Sequence, residues 1–387
     1  MNIVHIAPSA PYNDYWGYQE NLLPKYHKML GHNVTLIITN TTNDGGKIVS
    51  VPCNDYVLYD GVRVIRLQVK KYLHRALTAM NAKMDVYNLL LELRPDFVFF
   101  HGLLSTTIFD VIKYKRKNNS DCVIVQDSHL DYFNHSGAVT FKQKIIRAYY
   151  RRINRKSIKH VSRVYGVTPW RKTFAEDYFK VPSEKTDVLI MGADDDKIKL
   201  SQKQEIRKSI RDKFGIAEDE FLIVTGGKID ADKKIDVLVD ACADMPRVRL
   251  LVFGNVCDSF KAAFEEKLKN NDKAIYIGWI SADSVYDYFL AADLVCFPGS
   301  HSVMWEQACA AKVPCLFKYW DGMLHVNNGG NSEFVDEISP VSLKKKIEEL
   351  LFTDKYFKMK DVAESSRTDI YLYSNIAKKS LECVEKL

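Results

Sequence analysis

The sequence predicts an α/β protein built from two parallel-sheet domains that face each other across a cleft. At 387 residues the chain is too long for one typical core. Both halves alternate short apolar runs with helical patterns, and the highly charged stretch 193–210 separates them. Continuous apolar strands are typical of parallel sheets that are covered on both faces. We therefore predict a first domain over 1–195, joined by a C-terminal helix at about 370–387, and a second domain over 196–369.

The first half carries six apolar runs that predict strands. These runs are NIVHIAP, NVTLIIT, DFVFFH, CVIVQDSH, RVYGVTP and KTDVLIMGADD. Helical periodicity is found in YQENLLPKYHKML, NAKMDVYNLLLEL, STTIFDVIKYKRK and PWRKTFAEDYF. The segment YDGVRVIRLQ predicts a β-ribbon.

The second half restarts the same alternation. Its strand-like runs are FLIVTGG, VRLLVFGN, AIYIGWI and DLVCFPG. The helical patterns are DVLVDACADM, DSFKAAFEEKLKN, SADSVYDYFLAA, WEQACAA and DEISPVSLKKKIEELL. The last segment, about 374–387, is amphipathic and is expected to pack back onto the first domain.

Composition and missing motifs exclude several classes of protein. No apolar run approaches the length of about 18 residues that suggests a membrane span. The N-terminus lacks the basic lead of a signal peptide, so we expect a cytoplasmic location. The eight cysteines show no metal-like CxxC pairs and are expected to be reduced thiols. P-loop, GxGxxG and HExxH patterns are absent, and the one acidic triplet, 194–196, lies in the charged stretch. No cofactor and no metal ion are therefore expected.

A basic segment stands out in the first half. Between 141 and 163 there are nine lysines or arginines and no acidic residue, interleaved with apolar side chains. This pattern is typical of a basic amphipathic helix that docks on an anionic membrane surface. A solvated helix face is the alternative. Nucleic-acid binding is not expected, because no recognition motif accompanies the charge.

The segment 292–317 predicts a strand, a glycine turn and a helix that starts near Ser302. This unit places backbone N–H groups beside a bound phosphate. Glu306 lies about one turn into the helix, in an otherwise apolar or small run, and a carboxylate there can accept hydrogen bonds from ribose hydroxyls. His301 precedes it by five residues. The segment indicates a bound nucleotide.

Glycines and lysines mark two further phosphate-binding candidates. Gly17 precedes a predicted helix, where a residue without a side chain lets the backbone approach a diphosphate. Gly227 ends a strand and is followed by Lys228 and Lys233, two cations that can neutralise a departing diphosphate. A simple loop glycine and solvated lysines are the alternatives.

Histidines and an aspartate follow two strands of the first half. Asp127 and His129 lie at the end of CVIV, and His101 ends DFVFF. Because the carboxyl ends of parallel strands meet at one edge of a sheet, we expect these side chains to bind an acceptor or transfer a proton. A hydrogen-bonded structural histidine is the alternative for each.

Taken in order, these motifs resemble the GT-B glycosyltransferases of the family 4 type, the glycosyl transferases group 1. The likeness spans nearly the whole chain. WGYQENLL resembles the glycine loop of that family, VIVQDSH the strand that ends in its active-site histidine, and GGKIDADKKID its G-R-L-x-x-x-K-G-x-D motif. The family's paired glutamates are matched only by Glu306. The other glutamate would fall on Pro298, and His301 or Ser302 stands in the shortened loop.

The resemblance implies a function and a role for each candidate residue. It implies that a sugar moves from a UDP- or GDP-linked donor to a glycan or polyprenyl-linked acceptor in cell-surface polysaccharide synthesis, with retention and without metal. His129, Asp127, Lys228 and Lys233 would be catalytic, and His101 would help bind the acceptor. The donor-binding residues would be Gly17, Gly227, Lys228, Lys233, Gly254, Trp279, Ile280, His301, Ser302, Val303 and Glu306. A sugar-nucleotide 2-epimerase and a non-catalytic sugar-nucleotide-binding protein remain the alternatives.

Overall fold

The computed structural model of the protein describes residues 1–9, 11–44, 47–71, 82–132 and 140–385. The chain forms two compact units. The first unit comprises Met1–Ile190 and Ile376–Leu387, and the second comprises Met191–Asn375. The corresponding sequence-predicted boundaries were 195/196 and about 370, so 191–195 and 370–375 lie in the second unit.

An eight-stranded sheet forms the centre of the first unit within the described residues. In chain order its strands are β1 Asn2–Ala7, β2 Asn33–Thr39, β3 Asp55–Val57, β4 Arg63–Leu67, β5 Phe97–Phe100, β6 Val123–Ser128, β7 Arg163–Gly166 and β8 Thr186–Val188. Their order across the sheet is β8-β7-β6-β5-β1-β2-β4-β3, and only β3 is antiparallel to its neighbour. The segment predicted as a β-ribbon therefore contributes β4 to the main parallel sheet, with β3 as its antiparallel edge. Two small antiparallel sheets pair Thr41–Asp44 with Lys47–Ser50 and Lys70–Lys71 with Ala82–Lys83.

A six-stranded parallel sheet forms the second unit. Its strands are β9 Phe221–Ile229, β10 Val248–Val256, β11 Ala274–Tyr276, β12 Leu294–Phe297, β13 Cys315–Lys318 and β14 Ser332–Val335. They lie in the order β11-β10-β9-β12-β13-β14. The parallel α/β prediction is confirmed in both halves.

Helices connect the strands of both sheets. In chain order they are α1 Gln19–Met29, α2 Tyr87–Leu93, α3 Ile108–Lys117, α4 Phe141–Ser157, α5 Pro169–Phe179, α6 Lys203–Phe214, α7 Ile235–Cys242, α8 Lys261–Lys269, α9 Val285–Ala291, α10 Met304–Ala310, α11 Pro340–Leu350, α12 Asp354–Glu364 and α13 Tyr373–Glu385. Short 3₁₀ turns lie at Ser183–Lys185, Asp195–Lys197, Leu200–Gln202, Asp258–Phe260, Leu324–Val326 and Ser366–Tyr371. Within the described chain, no helix combines the length and the apolar character that crossing a membrane requires.

The cores explain why the strand predictions succeed. All four residues of β5, and all four of β12, are buried. Each sheet buries such continuous apolar strands between helices, as parallel sheets require. The eight cysteines are free thiols, five of them buried.

The charged stretch 193–210 is not the linker that its composition suggests. Helix α6 begins within it at Lys203, and its residues Ile210 and Arg211 are buried in the second unit. Arg211 Nη1 lies 3.4 Å from Asp293 Oδ2. Buried and partly buried residues recur at helical spacing along α6, at 203, 206, 207, 210, 211 and 214, with exposed residues between them. A packed helix is therefore present in a stretch whose charged composition alone does not indicate one.

Each sheet has one point where the strand order reverses direction. In the first unit this point lies between β1 and β5, and in the second unit between β9 and β12. Open α/β sheets bind their ligands outside the carboxyl ends of the strands at such a switch point. The loops after these four strands are therefore where a site is expected.

Candidate active site

A pocket of about 260 Å³ lies at the switch point of the first unit. It is lined by Ala7, Ser9, Glu20, His101, Gly102, Leu103, Leu104, Ser128, His129 and Leu130. The structure therefore brings together two of the predicted residues, His101 and His129, which follow neighbouring strands β5 and β6. Gly17 is not among the lining residues. It precedes α1 by two residues, and a Cβ added there would meet no heavy atom within 4 Å.

Asp127 lies behind this pocket and holds both histidines. Its Oδ2 accepts a hydrogen bond from His101 Nδ1 at 2.8 Å and lies 3.5 Å from His129 Nε2. Its Oδ1 accepts the backbone N–H of Gly102 at 2.7 Å. Asp127 is completely buried. This carboxylate contacts the two histidines and does not line the pocket itself, and the prediction that Asp127 helps to bind an acceptor stays a prediction.

Charge interactions shift the pKa values of Asp127 and His129. Burial acts to raise the pKa of Asp127, but His101 and then His129 outweigh it and hold that pKa well below its usual range. Burial acts to lower the pKa of His129, but the Asp127 carboxylate raises it above its ordinary value, with a smaller contribution from Glu20. The His129 side chain is 37% exposed, so it is the member of the pair that faces solvent.

Two further histidines, neither of them predicted from the sequence, extend the cluster. His5 on β1 and His27 on α1 are completely buried. His5 Nδ1 lies 3.2 Å from His101 Nε2, and His5 Nε2 lies 2.9 Å from His27 Nδ1. The available signal was a polar residue inside the apolar strand NIVHIA and another on the buried face of α1, which in both cases requires a hydrogen-bond partner.

The second unit gathers two lysines at its own switch point. Lys233 is partly buried after β9, and its Nζ donates to the backbone oxygen of Ser300 at 2.8 Å and of His301 at 3.3 Å. Burial lowers the pKa of Lys233. Lys228 at the end of β9 is more exposed, and its ammonium lies 2.8 Å from Asp230 Oδ2. Lys228 therefore lies at the end of β9 and Lys233 in the loop that follows it, and Lys233 links this loop to the loop after β12.

Three glycines allow close backbone packing at this edge of the sheet. Gly227, Gly254 and Gly278 all have positive φ, at 108°, 120° and 74°. A Cβ on Gly254 would collide with the carbonyl of Gly227, and the N–H of Gly254 donates to the Gly278 oxygen at 2.7 Å. Only glycine adopts such φ values without strain. This packing brings the ends of β9, β10 and β11 close together.

The predicted base-binding residues follow directly. Trp279 and Ile280 come after Gly278 in the loop that follows β11, and the Trp279 side chain is 67% exposed. An exposed indole at the carboxyl edge of a sheet is available for stacking with a flat ring.

Glu306 lies at the centre of a second buried cluster. Its Oε1 accepts hydrogen bonds from His301 Nε2 and His325 Nε2, both at 2.8 Å. Burial acts to raise the pKa of Glu306, but His301 and then His325 lower it to about 2. Glu306 is completely buried, and its Oε2 has no hydrogen-bond partner among the residues that the structure describes. The predicted hydrogen bonds from a ribose to this buried carboxylate stay a prediction.

Two predicted residues, Ser302 and Val303, precede the helix that carries Glu306, and a third residue near Glu306, His325, was not predicted. Helix α10 begins at Met304, two residues after the predicted start, and Ser302 and Val303 lie in the turn before it. His325 was not identified from the sequence. It lies in the short turn Leu324–Val326, and the Tyr371 hydroxyl donates to its backbone oxygen at 2.6 Å. A lone histidine in the loop DGMLHVNN gives no periodic signal that would have singled it out.

The same three side chains are candidate metal ligands. Among the described residues, His301, Glu306 and His325 are the group whose potential ligand atoms all lie within 4.8 Å of one another. A cation there would need the imidazole lone pairs at the Nε2 atoms, which instead carry the protons donated to Glu306. The prediction that the protein uses no metal stays a prediction.

Comparison with known proteins supports a single class. A model of "Glycosyltransferase Family 4" matches residues 20–197, and a model of "Glycosyl transferases group 1" matches residues 206–367. The processive diacylglycerol alpha-glucosyltransferase of Acholeplasma laidlawii is 24% identical over 206 residues, which cover 49% of this chain and 61% of that enzyme. A second curated relative is matched over 54% of its length. The chain thus spans less than two thirds of each of these relatives.

Solved structures share the fold along the whole chain. A glycosyltransferase from Rickettsia africae superposes with a TM-score of 0.71 at 15% identity, covering 99% of this chain and 97% of that one. Anabaena Alr3699/HepE, solved in complex with UDP and glucose, gives a TM-score of 0.65 at 14% identity and full coverage of both chains. Identity this low shows the fold alone, which is GT-B. The two family models lie end to end over most of the sequence. Together with the shared fold, they show that the chain belongs to the GT-B glycosyltransferases of the family 4 type.

Proposed function

We propose that the protein transfers a sugar from a UDP- or GDP-linked donor to a hydroxyl of a glycan or polyprenyl-linked acceptor in cell-surface polysaccharide synthesis. The observation that carries the proposal is the placement of the two polar sites. Each lies at the switch point of one parallel sheet, where this type of sheet binds ligands. The relatives named above include one solved with UDP and glucose and one named for glucosyl transfer to diacylglycerol, which supports a nucleotide-sugar donor and a lipid-linked acceptor.

The proposed roles follow from charge and exposure. Lys228 and Lys233 stabilise the diphosphate as negative charge develops on it. The His301–Glu306–His325 cluster orients the ribose, and Trp279 with Ile280 holds the base. His129, oriented by Asp127, takes the proton from the acceptor hydroxyl or positions that hydroxyl. As the resemblance implies, the proposed transfer retains anomeric configuration and requires no divalent metal.

Donor binding tests the proposal, with Lys233→Met as the decisive variant. Purified wild-type protein is titrated calorimetrically with a panel of UDP- and GDP-sugars. Lys233→Met removes a partly buried cation and unties two loops, so donor affinity is expected to fall roughly 10- to 100-fold, as for the loss of a charged hydrogen bond. The Lys228 side chain is 67% exposed, so Lys228→Met is expected to cause a smaller loss of donor affinity.

The matched control is Lys208→Met, an exposed lysine of α6 paired with Asp212. It is expected to bind donor like the wild type. Failure of every sugar nucleotide to bind would rule out the transferase and both alternative functions. Binding followed by epimerised nucleotide sugar would indicate the 2-epimerase, and binding without any turnover would indicate a non-catalytic protein.

We also propose that α4 docks the enzyme on the inner face of the cytoplasmic membrane. Helix α4 ends at Ser157, inside the predicted basic segment 141–163. Two of its arginines pack against Tyr178 in the first unit. Arg147 stacks over the Tyr178 ring at 4.0 Å, and Arg151 Nε donates to the Tyr178 oxygen. The remaining exposed basic side chains accompany Phe141, which is 79% exposed. An exposed apolar ring beside cations fits an anionic lipid surface.

Vesicle sedimentation tests this contact. The triple variant Arg152→Ser, Arg155→Ser, Lys156→Ser is expected to bind vesicles rich in anionic phospholipid ~100-fold more weakly, because each basic residue near such a surface contributes about 1 kcal/mol. The control removes the same charge from the second unit, at Lys208, Lys269 and Lys345, and is expected to bind normally. Equal vesicle binding by the two triple variants would contradict the docking role of α4.

A further inference from the structure

An exposed aromatic loop follows β1 in the first unit. We define the aromatic loop as residues 12–18, which include Tyr15, Trp16 and Tyr18. Tyr15 is 86% exposed and Tyr18 is 54% exposed. The Trp16 and Tyr18 rings meet edge to face, with their centroids 5.0 Å apart. Adjoining exposed aromatic rings mark a binding surface, whereas apolar residues scattered singly over a surface do not.

Hydrogen bonds fix the backbone of the aromatic loop. The Asn13 Oδ1 atom accepts the backbone N–H of Tyr15 at 3.0 Å. The backbone oxygen of Asn13 accepts the N–H of Trp16 at 3.2 Å and the side-chain amide of Asn21 at 2.9 Å. Because the backbone is held in this way, its aromatic rings can bind a ligand at a low cost in conformational entropy.

A buried arginine attaches the aromatic loop to the neighbouring strands. Arg66 on β4 donates from Nη2 to Asp14 Oδ1 at 3.1 Å, and the Tyr56 hydroxyl on β3 donates to the same oxygen at 2.6 Å. The N–H of Tyr12 donates to the oxygen of Thr41, which follows β2, at 2.9 Å. The loop therefore crosses the carboxyl edge of the sheet from β1 past β2 to β4. Two strand spacings make this crossing about 10 Å wide.

Both ends of the aromatic loop adjoin the pocket that contains His129. Ser9 lines the pocket before the loop, and Glu20 lines it after the loop. Glu20 follows Tyr18 by two residues, which span at most about 7 Å, so Tyr18 lies beside the pocket wall. A Cβ on Gly17 would meet no heavy atom within 4 Å, so the space beside the loop is open. The aromatic loop thus extends the surface of the pocket.

The charge of this region restricts what it can bind. Residues 11–24 include two carboxylates, Asp14 and Glu20, and no lysine or arginine. A surface that docks on anionic lipid carries cations beside its aromatic residues, as α4 does. An uncharged ligand with hydroxyl groups and apolar C–H faces fits this region better, because the aromatic rings contact the C–H faces and a carboxylate accepts from a hydroxyl. A pyranose ring has both features.

We propose that the aromatic loop binds an uncharged sugar of the acceptor glycan, next to the sugar whose hydroxyl enters the pocket. Tyr15 and Tyr18 provide the stacking faces, and Glu20 accepts a hydrogen bond from a sugar hydroxyl. This assignment rests on the proposed function, and it makes the acceptor an oligosaccharide, either free or lipid-linked. Because the loop holds the acceptor and does not touch the reacting atoms, its loss raises KM for the acceptor and largely spares kcat.

Fluorine NMR of the fluorotryptophan-labelled protein tests the binding step without donor or turnover. The Trp16 signal, assigned by its loss in Trp16→Phe, is expected to shift on titration with a panel of neutral trisaccharides. Glucose is expected to bind more weakly, since it cannot fill the pocket and the loop together. Vesicles of anionic phospholipid are expected to leave the signal unchanged. No response to any trisaccharide, or a response to the vesicles alone, would overturn the proposal.

Two matched double variants separate stacking from a merely structural role. Tyr15→Ser with Tyr18→Ser removes both stacking faces and is expected to bind the tightest trisaccharide about tenfold more weakly. Tyr15→Phe with Tyr18→Phe keeps both rings and is expected to bind like the wild type. The control is Tyr59→Ser, a 75% exposed tyrosine in the turn before β4, at the opposite edge of the sheet. It is expected to bind normally, and equal affinities of the serine and phenylalanine double variants would contradict stacking.

Donor titration distinguishes failure of the glycan site from failure of the proposed function. Sugar-nucleotide binding without any response of the aromatic loop to trisaccharides would retain the transferase and remove the glycan site. Trisaccharide binding in a protein that binds no sugar nucleotide would retain the glycan site and contradict the transferase. Where transfer is measured, the serine double variant is expected to raise KM for an oligosaccharide acceptor about tenfold. A fall in kcat at unchanged KM would contradict the holding role of the loop.

Discussion

Replacing Glu306 with glutamine is expected to weaken donor binding strongly and to destabilise the second unit. Glutamine preserves the shape of the side chain but removes the negative charge that His301 and His325 contact at 2.8 Å. Breaking a buried charge interaction in this way costs about 3 kcal/mol. Urea denaturation measures the stability, and calorimetry with a sugar nucleotide measures the affinity. Glu364→Gln, which removes an exposed carboxylate paired with Lys203, is the control and is expected to cost less than about 1 kcal/mol.

The same residue gives the protein a defined acid sensitivity. The pKa of Glu306 is lowered from its ordinary value of 4.5 to about 2. A carboxyl group with a lowered folded-state pKa contributes stability that is complete above the unfolded value and is lost as the pH falls through the folded value. This contribution is on the order of 3 kcal/mol, lost between about pH 4.5 and 2. Glu306→Gln lacks it, so the stability gap between wild type and variant is expected to narrow from pH 5 to pH 2.5. A stability difference between wild type and variant that stays constant over this pH range would mean that the ionised carboxylate does not stabilise the protein through His301 and His325.

The fold could be predicted from the sequence because its main signal is local. Phe97–Phe100 and Leu294–Phe297 are short apolar runs that each follow an aspartate, and each forms a fully buried strand of a parallel sheet. The helix α6 escaped prediction because its buried residues Ile210 and Arg211 are embedded among charges. The structure of this segment depends on which of its residues pack against the rest of the second unit, and its composition does not show this.

The candidate site was predicted only where its residues follow strands directly. His101, Asp127 and His129 come within two residues of strand ends, so topology alone brings them to one edge. His27 and Ser380, by contrast, are separated by 353 positions and meet only through packing of α1 and α13. Nothing local in the sequence records such a pairing.

Replacing His129 with alanine is expected to reduce turnover by roughly 10²–10⁴-fold, the usual contribution of a positioned acid–base group. Donor affinity is expected to stay unchanged, because the proposed donor contacts lie on the second unit. Initial rates at saturating donor and acceptor, with calorimetric donor binding alongside, measure the two effects. His160→Ala, a histidine of the first unit that does not line the pocket, is the control and is expected to retain full activity.

The pH dependence makes the role of His129 more specific. Asp127 raises the pKa of His129, and the side chain accepts a proton from an acceptor hydroxyl only while it is neutral. Activity is therefore expected to fall as the pH decreases through a midpoint above the ordinary histidine value of about 6.5. Asp127→Asn removes the charge that raises this pKa, so the midpoint is expected to move downward, toward or below the ordinary value. A histidine that serves only to position the acceptor would lose turnover in His129→Ala without this movement, so the direction of the shift separates proton transfer from positioning.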